Sequence, residues 1–502
     1  MKSKMPTNNS LHKDRDSNNA RNLLGTLNVG YINLNLKIGL IMFKKITHLI
    51  FVLLFLGSIG CSNQKDENNS AFFQSDINNP EIEHRVDGLI TPLVDDGLLS
   101  GSILIAKSGK IVFAKGYGFA DRETKVPNTP ETIFRIGSIT KPITAIAVMQ
   151  LHQKGKLNIN DPLNKYLHGF PNGDKITIYN LLTHTSGLPS YDWTRSDNKP
   201  QELEVIIDWI KELTLQSESG QSFMYSNSGY ALLAYIIEKV SGMKYEDYVA
   251  ENIFIPCNMK NSGLFYSMNR PAGNMAFGYS RIDYNGFKIA KRVSPLSRGA
   301  GDLYSTILDL YKLSINIPSN TLLTSESWNE MFTPFTNSYG LGWYIDELHG
   351  EKEIYHPGGL LGYMGNLRIF MNRDIIVINL FNNDFLLTHL VEEQLAAIAL
   401  GKLWQPLFKR ENDQSTLDSF KAFTGEYAID QSSSFRISVE NGHIYFQESG
   451  QPKCIAYLFA ENYIYIKEIN SRIRFVQSEE GTIKYTAFFG LFLVTGERIQ
   501  SD

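Results

Sequence analysis

Three short motifs limit how this 502-residue chain can fold, because the chemistry of each depends on the other two lying close by. They occupy residues 138–141 (SITK), 225–227 (YSN) and 356–358 (HPG). A serine hydroxyl attacks a carbonyl well only when a neighbouring base takes its proton, and a lysine and a tyrosine are both available here. The sequence therefore predicts a fold that brings three distant segments to one catalytic site.

Ser138 and Lys141 have the spacing of two neighbours on a helix. Residues i and i+3 lie about 5–6 Å apart at Cβ, so Lys141 can reach the Ser138 hydroxyl. Lysine acts as a base once burial or a nearby cation lowers its pKa, and a helix N-terminus would favour an oxyanion beside Ser138. The alternative interpretation is a serine that caps a helix, followed by a surface lysine.

The segments around the first motif point to a family. Residues 134–145 read FRIGSITKPITA, and residues 181–188 read LLTHTSGL. This sequence resembles the serine beta-lactamase and penicillin-binding-protein superfamily, in its class C-like D-Ala-D-Ala carboxypeptidase and esterase branch. Over residues 80–404 the resemblance implies an α+β fold, with a mostly antiparallel central sheet flanked by helices and a helical insert.

The resemblance also gives the second motif a role. Tyr225 would accept the Ser138 proton as a phenolate or relay it, with its pKa lowered by Lys141. Asn227 would hold Lys141 and contact the substrate amide through its carboxamide. Whether Lys141 or Tyr225 is the proton acceptor stays open, since in a coupled site the protons belong to the group.

The third motif stands in the place of the family's Lys-Thr-Gly strand. By resemblance, the backbone N–H groups of Gly359 and Ser138 form the oxyanion hole, and Gly358 lets the substrate approach closely. His356 would stabilise negative charge or relay a proton, with a plain structural histidine as the alternative. Pro357 departs from the family pattern, because it has neither a hydroxyl nor an N–H to grip a substrate carboxylate. An ester, or a peptide without a free carboxylate at that place, is therefore favoured over a beta-lactam antibiotic.

The N-terminal region carries an export signal. Residues 42–61 combine two lysines, a short apolar run and small residues before Cys61, which is typical of a bacterial lipoprotein signal. Cys61 would be lipidated, the alternative being an ordinary cleaved signal, and residues 62–79 would form a flexible tether to the membrane. Because signal peptides begin near the start of a chain, we interpret residues 1–41 as a non-native extension.

Composition argues against several classes of function. The net charge of −4 and the lack of a Lys/Arg-rich run disfavour nucleic-acid binding. No Cys/His spacing is typical of a zinc site, so we expect neither a metal nor a cofactor. The expected partners are a small-molecule or peptide substrate and, through the lipid anchor, a membrane.

Local patterns divide the rest of the chain. Residues 405–416 are a polar break, which we interpret as a linker. Residues 417–502 alternate short apolar strands with turn signals, which predicts a small all-β barrel or sandwich that resembles a lipocalin-like domain. Within the preceding domain, residues 339–343 are predicted to form a strand.

Together these features predict an exported serine hydrolase that cleaves an ester or amide through an acyl-enzyme on Ser138. The alternatives among enzymes are a D-amino-acid peptidase, a D-Ala-D-Ala carboxypeptidase and a weak class C-type beta-lactamase. An alternative of another class is a non-catalytic sensor that binds peptidoglycan or beta-lactams on the same fold. The catalytic positions are all occupied, which disfavours the sensor.

Overall fold

The computed structural model describes residues 79–191, 202–265, 274–283, 286–290, 298–384, 387–407, 414–429, 433–460, 462–478, 481–489 and 492–499. The predicted extension, the signal peptide with Cys61 and nearly all of the tether lie outside these residues, as does the middle of the predicted linker. No helix in the described part of the chain is long and apolar enough to cross a membrane.

Helices and strands alternate through the first part of the chain, and strands dominate its end. The helices are α1 (Pro80–Asp95), α2 (Thr140–Gln153), α3 (Ile178–Leu182), α4 (Leu203–Lys211), α5 (Asn227–Ser241), α6 (Tyr245–Val249), α7 (Ile307–Ile315), α8 (Ser325–Met331), α9 (Thr388–Ala399) and α10 (Gln414–Phe420). The strands before α9 are β1 (Gly101–Lys107), β2 (Lys110–Tyr117), β3 (Phe119–Asp121), β4 (Val126–Pro127), β5 (Phe134–Arg135), β6 (Gly263–Leu264), β7 (Tyr279–Asp283), β8 (Gly286–Ile289), β9 (Leu303–Ser305), β10 (Tyr344–Leu348), β11 (Glu351–Leu360), β12 (Tyr363–Phe370) and β13 (Ile375–Phe381). Those after it are β14 (Gly425–Ala428), β15 (Ser434–Glu440), β16 (His443–Glu448), β17 (Cys454–Ala460), β18 (Tyr463–Ile466), β19 (Ser471–Gln477), β20 (Ile483–Phe489) and β21 (Phe492–Glu497).

An antiparallel six-stranded sheet forms the centre of the first part, in the order β10-β11-β12-β13-β1-β2. Alternate residues of a strand point to opposite faces, and β13 is apolar on both. Ile376, Ile378 and Leu380 pack in one core with α2, whereas Val377 and Phe381 pack in a second core with α1 and α9. Helices therefore cover both faces of the sheet, which is what two apolar faces require.

Helix α2 lies at the centre of the first core. Every residue from Thr140 to Leu151 is buried, as is typical of a helix enclosed on all sides. Helix α5 packs against α2 and ends at Gly242, whose φ of 74° is the left-handed conformation that glycine adopts without strain. Ser138 and Tyr225 come just before the first residues of these two helices, so the packing of α2 on α5 sets their separation.

The C-terminal part is a nearly closed antiparallel barrel. Strands β14 to β21 lie side by side in chain order. The two ends of the sheet meet where the Ile499 backbone N–H donates to the Glu426 carbonyl at 2.7 Å, and where Tyr427 bridges Arg498. The barrel encloses its own apolar core, built from residues between 417 and 487. Closure of this kind pairs strand edges that would otherwise be exposed.

Polar and apolar contacts join the barrel to the first part. The Asn470 side-chain amide donates to the Asp384 carbonyl at 2.6 Å, and Lys467 pairs with Asp96 at 2.8 Å. The Tyr465 ring is buried in the core that contains α1 and α9. The barrel therefore rests on the helices that cover one face of the central sheet.

The predicted α+β architecture is confirmed, and the C-terminal part is a barrel rather than a sandwich. The strand predicted at residues 339–343 is wrong, because the chain turns there and β10 begins at Tyr344. Close packing explains the turn. Gly342 has a φ of 84°, and a Cβ on it would lie 2.6 Å from the Cβ of Ala145 in α2.

Candidate active site

The first motif lies where a tight turn enters α2. A 3₁₀ helix over Gly137–Ile139 carries Ser138, and Lys141 follows in the first turn of α2. Gly137 has a φ of +52°, and a Cβ there would lie 2.9 Å from the backbone nitrogen of Gly359. Glycine is therefore required for the nucleophile turn to approach the third motif this closely.

Lys141 is fully buried, and its Nζ contacts three oxygen atoms. It lies 3.0 Å from Ser138 Oγ, 2.8 Å from Asn227 Oδ1 and 2.8 Å from the Ala300 carbonyl oxygen. The last two atoms only accept hydrogen bonds, whereas a serine hydroxyl can also donate. A neutral amine has two N–H groups and one lone pair, so it satisfies all three partners when Ser138 donates to Nζ. An ammonium would instead donate to all three oxygens, so the geometry places Lys141 within reach of the Ser138 proton and its charge decides whether it can accept that proton.

The electrostatics of Lys141 agree with this geometry. Burial lowers the pKa of Lys141 well below its ordinary value, because desolvation disfavours the ammonium form. Asp302 opposes this shift more weakly, and burial raises the pKa of the Asp302 carboxyl itself to about 7. The site therefore favours the neutral form of Lys141, which is the form that can act as a base.

Tyr225 lies beside the nucleophile, and its hydroxyl hydrogen-bonds with Ser138. The centroid of its ring is 4.6 Å from Lys141 Nζ. Burial raises the pKa of Tyr225, and the hydrogen bond with Ser138 opposes this only in part. The expectation that the pKa of Tyr225 is lowered is therefore wrong, because burial disfavours the phenolate more than the Ser138 hydrogen bond stabilises it. Burial thus shifts Lys141 toward the amine and keeps Tyr225 a protonated phenol.

His184, in the LLTHTSGL segment, holds the second motif in place. The Ser226 backbone N–H donates to His184 Nδ1 at 3.1 Å, and the imidazole stacks on Tyr225 with centroids 4.3 Å apart. Burial lowers the pKa of His184 well below its ordinary value, so the ring is neutral. His184 thus acts on the site through the position of Tyr225.

His356 is buried on β11, and both of its ring nitrogens have partners. Nδ1 lies 2.7 Å from the Pro357 carbonyl oxygen, which can only accept, so Nδ1 carries the proton. Nε2 accepts from the Tyr339 hydroxyl at 3.1 Å. Burial, and secondly the proximity of Lys141, lower the pKa of His356 to about 3. The ring is therefore neutral, and the catalytic role predicted for it stays a prediction.

The glycines of the third motif allow β11 to lie against the nucleophile turn. A Cβ on Gly358 would lie 2.1 Å from the Ile136 carbonyl oxygen. Gly359 is paired with Met364 across β11 and β12 and lies against Gly137. Gly359 is thus next to the Ser138 turn, as an oxyanion hole built from their N–H groups requires. That role stays a prediction.

A pocket of about 330 Å³ opens at Ser138. Residues of all three motifs line it, and so do residues that sequence reasoning missed, namely Tyr344 of β10 and Thr388, His389 and Glu392 of α9. Helical spacing places Glu392 on the same face as Leu395 and Ala399, both buried. A glutamate on an otherwise apolar helix face is the sequence signal that could have identified Glu392 as a pocket residue.

Comparisons with known proteins agree with this geometry. A family model described as Beta-lactamase matches residues 86–400. The putative penicillin-binding protein PbpX of Bacillus subtilis (strain 168) is 37% identical over 293 residues, covering 57% of this chain and 70% of that protein. The teichoic acid D-alanine hydrolase of Staphylococcus aureus (strain MRSA252) is 29% identical over 312 residues, covering 60% and 76%. Among solved structures, the octameric penicillin-binding protein homologue from Pyrococcus abyssi superimposes with a TM-score of 0.60 at 26% identity, covering 82% of this chain and 99% of that one.

Proposed function

The chain belongs to the beta-lactamase family, and from the geometry of its site we propose that it is a serine hydrolase that cleaves an ester or amide through an acyl-enzyme on Ser138. The observation that carries this proposal is the set of contacts at Lys141 Nζ. Ser138 Oγ lies 3.0 Å away, and the remaining two partners can only accept hydrogen bonds. In the neutral form, which burial favours, Lys141 donates to those two oxygens and turns its lone pair to the nucleophile.

The reaction follows from these contacts. Ser138 Oγ attacks the carbonyl carbon while its proton passes to Lys141 Nζ, and the N–H groups of Ser138 and Gly359 stabilise the oxyanion. Collapse of the tetrahedral intermediate breaks the bond to the leaving group, which takes up a proton. Tyr225, hydrogen-bonded to Ser138, is placed to relay that proton. Water then attacks the acyl-enzyme by the reverse sequence, releasing the acid and restoring the Ser138 hydroxyl.

A D-Ala-D-Ala carboxypeptidase or a class C-type beta-lactamase is the second candidate, and its basis is similarity to penicillin-binding proteins. Pro357 argues against both, because the substrates of both carry a carboxylate and proline offers it no donor. The similarity to a teichoic acid D-alanine hydrolase also supports a hydrolase whose substrate is not a beta-lactam. A non-catalytic sensor is disfavoured by the complete set of contacts around Ser138.

We also propose that the enzyme is exported and anchored through a lipid on Cys61. The support is the order of charge, apolar run and small residues over residues 42–61. Mass spectrometry of the protein from a bacterial host should find Cys61 as a lipidated N-terminus, and Cys61→Ala should release the enzyme from membranes. A peptide that spans residues 55–65 in the mature protein would refute the proposal.

Covalent labelling tests the hydrolase proposal directly. A fluorophosphonate should add its mass to Ser138 of the full chain, and the chain should hydrolyse p-nitrophenyl acetate. Ser138→Ala should lose both properties, with a fall in kcat/KM of about 10³-fold or more. Ser319→Ala is the matched control, since Ser319 is exposed and outside the pocket. An unlabelled Ser138 together with no ester turnover would favour the sensor.

A further inference from the structure

A buried carboxylate lines the same pocket as the nucleophile, and the mechanism above does not use it. Glu392 lies in the second turn of α9 with a relative exposure of 7%. It is part of the pocket lining together with Ser138, Pro357 and Gly358. A buried glutamate at this place can interact with a charged group of the substrate.

Two amides hold the Glu392 carboxylate in place. Asn366 Nδ2 donates to Oε2 at 2.8 Å, and Asn379 Nδ2 donates to Oε1 at 3.1 Å. Asn366 is paired with Pro357 on one side and with Asn379 on the other, across β11, β12 and β13. The carboxylate is therefore fixed against the strands at the level of Pro357, where it leaves each oxygen with capacity for another donor.

The charges around Glu392 leave it without a counter-ion of its own. Arg368 is paired with Glu353 at 2.6 Å, and Glu392 forms no ion pair with any residue that the structure describes. Burial raises the pKa of the Glu392 carboxyl, and the neighbouring Glu393 adds to this shift, whereas the two amides and the charge of Arg368, which is itself paired with Glu353, oppose it. A buried carboxylate without a counter-ion is costly, and a bound cation would offset that cost.

We propose that Glu392 forms a cation subsite, which selects esters or amides that carry an ammonium group and rejects those that carry a carboxylate at that place. This inference rests on the proposed hydrolase function. Pro357 offers a carboxylate no donor, and Glu392 adds repulsion at the same level of the strand. The ammonium group keeps its charge and its bonds throughout, so acyl transfer to Ser138 proceeds as described above. Glu392 binds and orients the substrate and exchanges no proton in the reaction.

The ammonium can lie on the acyl side or on the alcohol side, and matched ester pairs separate the two cases. On the alcohol side, butyrylcholine is compared with 3,3-dimethylbutyl butyrate, its neutral isostere. On the acyl side, p-nitrophenyl 4-(trimethylammonio)butyrate is compared with p-nitrophenyl 5,5-dimethylhexanoate. In one of the two pairs the cation should be preferred by about tenfold in kcat/KM, a difference typical of one charged contact.

Glu392→Gln should remove that preference, because it should lower kcat/KM for the cationic ester of the pair about tenfold more than for its neutral isostere. The variant should fold, because Asn366 Oδ1 has no hydrogen-bond partner among the described residues and can turn to accept from the new amide. Glu393→Gln is the matched control, with the same change of charge on the next residue of α9 and outside the pocket lining.

The outcomes separate this inference from the proposed function. Turnover of p-nitrophenyl acetate with no cation preference in either pair would overturn the cation subsite and leave the hydrolase intact. A preference that persists in Glu392→Gln would also overturn it. No turnover of any ester and no labelling of Ser138 would instead refute the hydrolase proposal. Equal unfolding temperatures for both variants and the unsubstituted chain would show that the comparison is fair.

Discussion

Lys141 and Glu392 are both buried ionisable groups held by uncharged neighbours, yet their neighbours suit them to different work. Lys141 meets two pure acceptors and a hydroxyl, a set that an ammonium and a neutral amine can both satisfy. Glu392 meets two amide donors, a set that a carboxylate satisfies. Burial pushes the pKa of each toward its neutral form, lowering it for Lys141 and raising it for Glu392.

The difference shows that hydrogen-bond partners, rather than burial alone, assign the work of each group. The partners of Lys141 are satisfied with or without its third proton, because the Ser138 hydroxyl can accept or donate, so the amine is suited to take up a proton and return it. The partners of Glu392 stabilise its anion, so it is suited to keep a charge. Four experiments on buried and exposed ionisable groups test how the surroundings of a charge determine its effect, in order of decreasing expected effect.

Removing the base should disable every substrate, whereas removing the anion should alter only the choice among them. We expect Lys141→Met to lower kcat/KM for p-nitrophenyl acetate by about 10³-fold or more, because the proton of Ser138 then has no acceptor. Glu392→Gln should lower that rate far less, because Ser138 keeps its proton acceptor. Steady-state kinetics of both variants would check the contrast, and equal losses in the two would contradict it.

The pH dependence of the rate should report the protonation of Lys141. Below its pKa the amine is an ammonium and cannot accept a proton, so kcat/KM should fall about tenfold per pH unit on the acid side. Because burial lowers this pKa, the plateau should be reached well below the ordinary lysine value of about 10.4. A pH–rate profile tests this. An acid limb that is unchanged in Lys141→Met would assign it to another group.

The burial of His356 should affect how the stability of the chain depends on pH, rather than the rate of hydrolysis. The unfolded chain protonates this histidine near pH 6.5, and the folded chain only near 3, so stability is complete above pH 6.5 and falls as the pH drops. Between pH 7 and pH 5 the free energy of unfolding of the unsubstituted chain should fall by about 2 kcal/mol more than that of His356→Gln. Chemical denaturation at the two pH values measures this. His184 contributes to both chains alike, so equal losses would show that His356 is protonated in the folded state.

An ion pair near the surface should contribute little to the free energy of unfolding, because water screens its charges. Lys467 and Asp96 join the barrel to α1 at 2.8 Å, with side-chain exposures of 21% and 46%. We expect Asp96→Asn to lower the free energy of unfolding by about 0.5 kcal/mol, since solvent screens such pairs. Denaturation in low and high salt would test it. A loss above about 2 kcal/mol would mean that this contact governs the docking of the barrel.

Much of the nucleophile's surroundings could be predicted from sequence, because local spacing controls them. The interval between Ser138 and Lys141 dictates a contact on any helix, and the alternating strands of the C-terminal part dictate an antiparallel sheet. The carbonyl of Ala300 could not be predicted, since every residue has one and only the fold decides where it points. The direction of the Tyr225 pKa shift could not be predicted either, because it depends on how deeply the fold buries the phenol.

The role of α9 was missed for a related reason. Its sequence is that of an ordinary covering helix, with Leu395 and Ala399 buried against the sheet. Whether the glutamate on that face meets a pocket depends on the edge of β11, a contact between residues far apart in the chain. The strand predicted at residues 339–343 is wrong for the same reason. The space beside Ala145, rather than the apolar pattern of these residues, determines their conformation.

The two faces of β13 have a consequence for how such an enzyme can diverge. Ser138 and Lys141 lie at the start of α2 and Glu392 lies on α9, and these two helices pack in cores on opposite faces of the sheet. Substitutions in α9 that share no contacts with Ser138 or Lys141 have effects on stability that are close to additive with changes in α2. A lineage could therefore acquire a new substrate through changes in α9 while its acylating machinery stayed intact, without passing through an inactive intermediate.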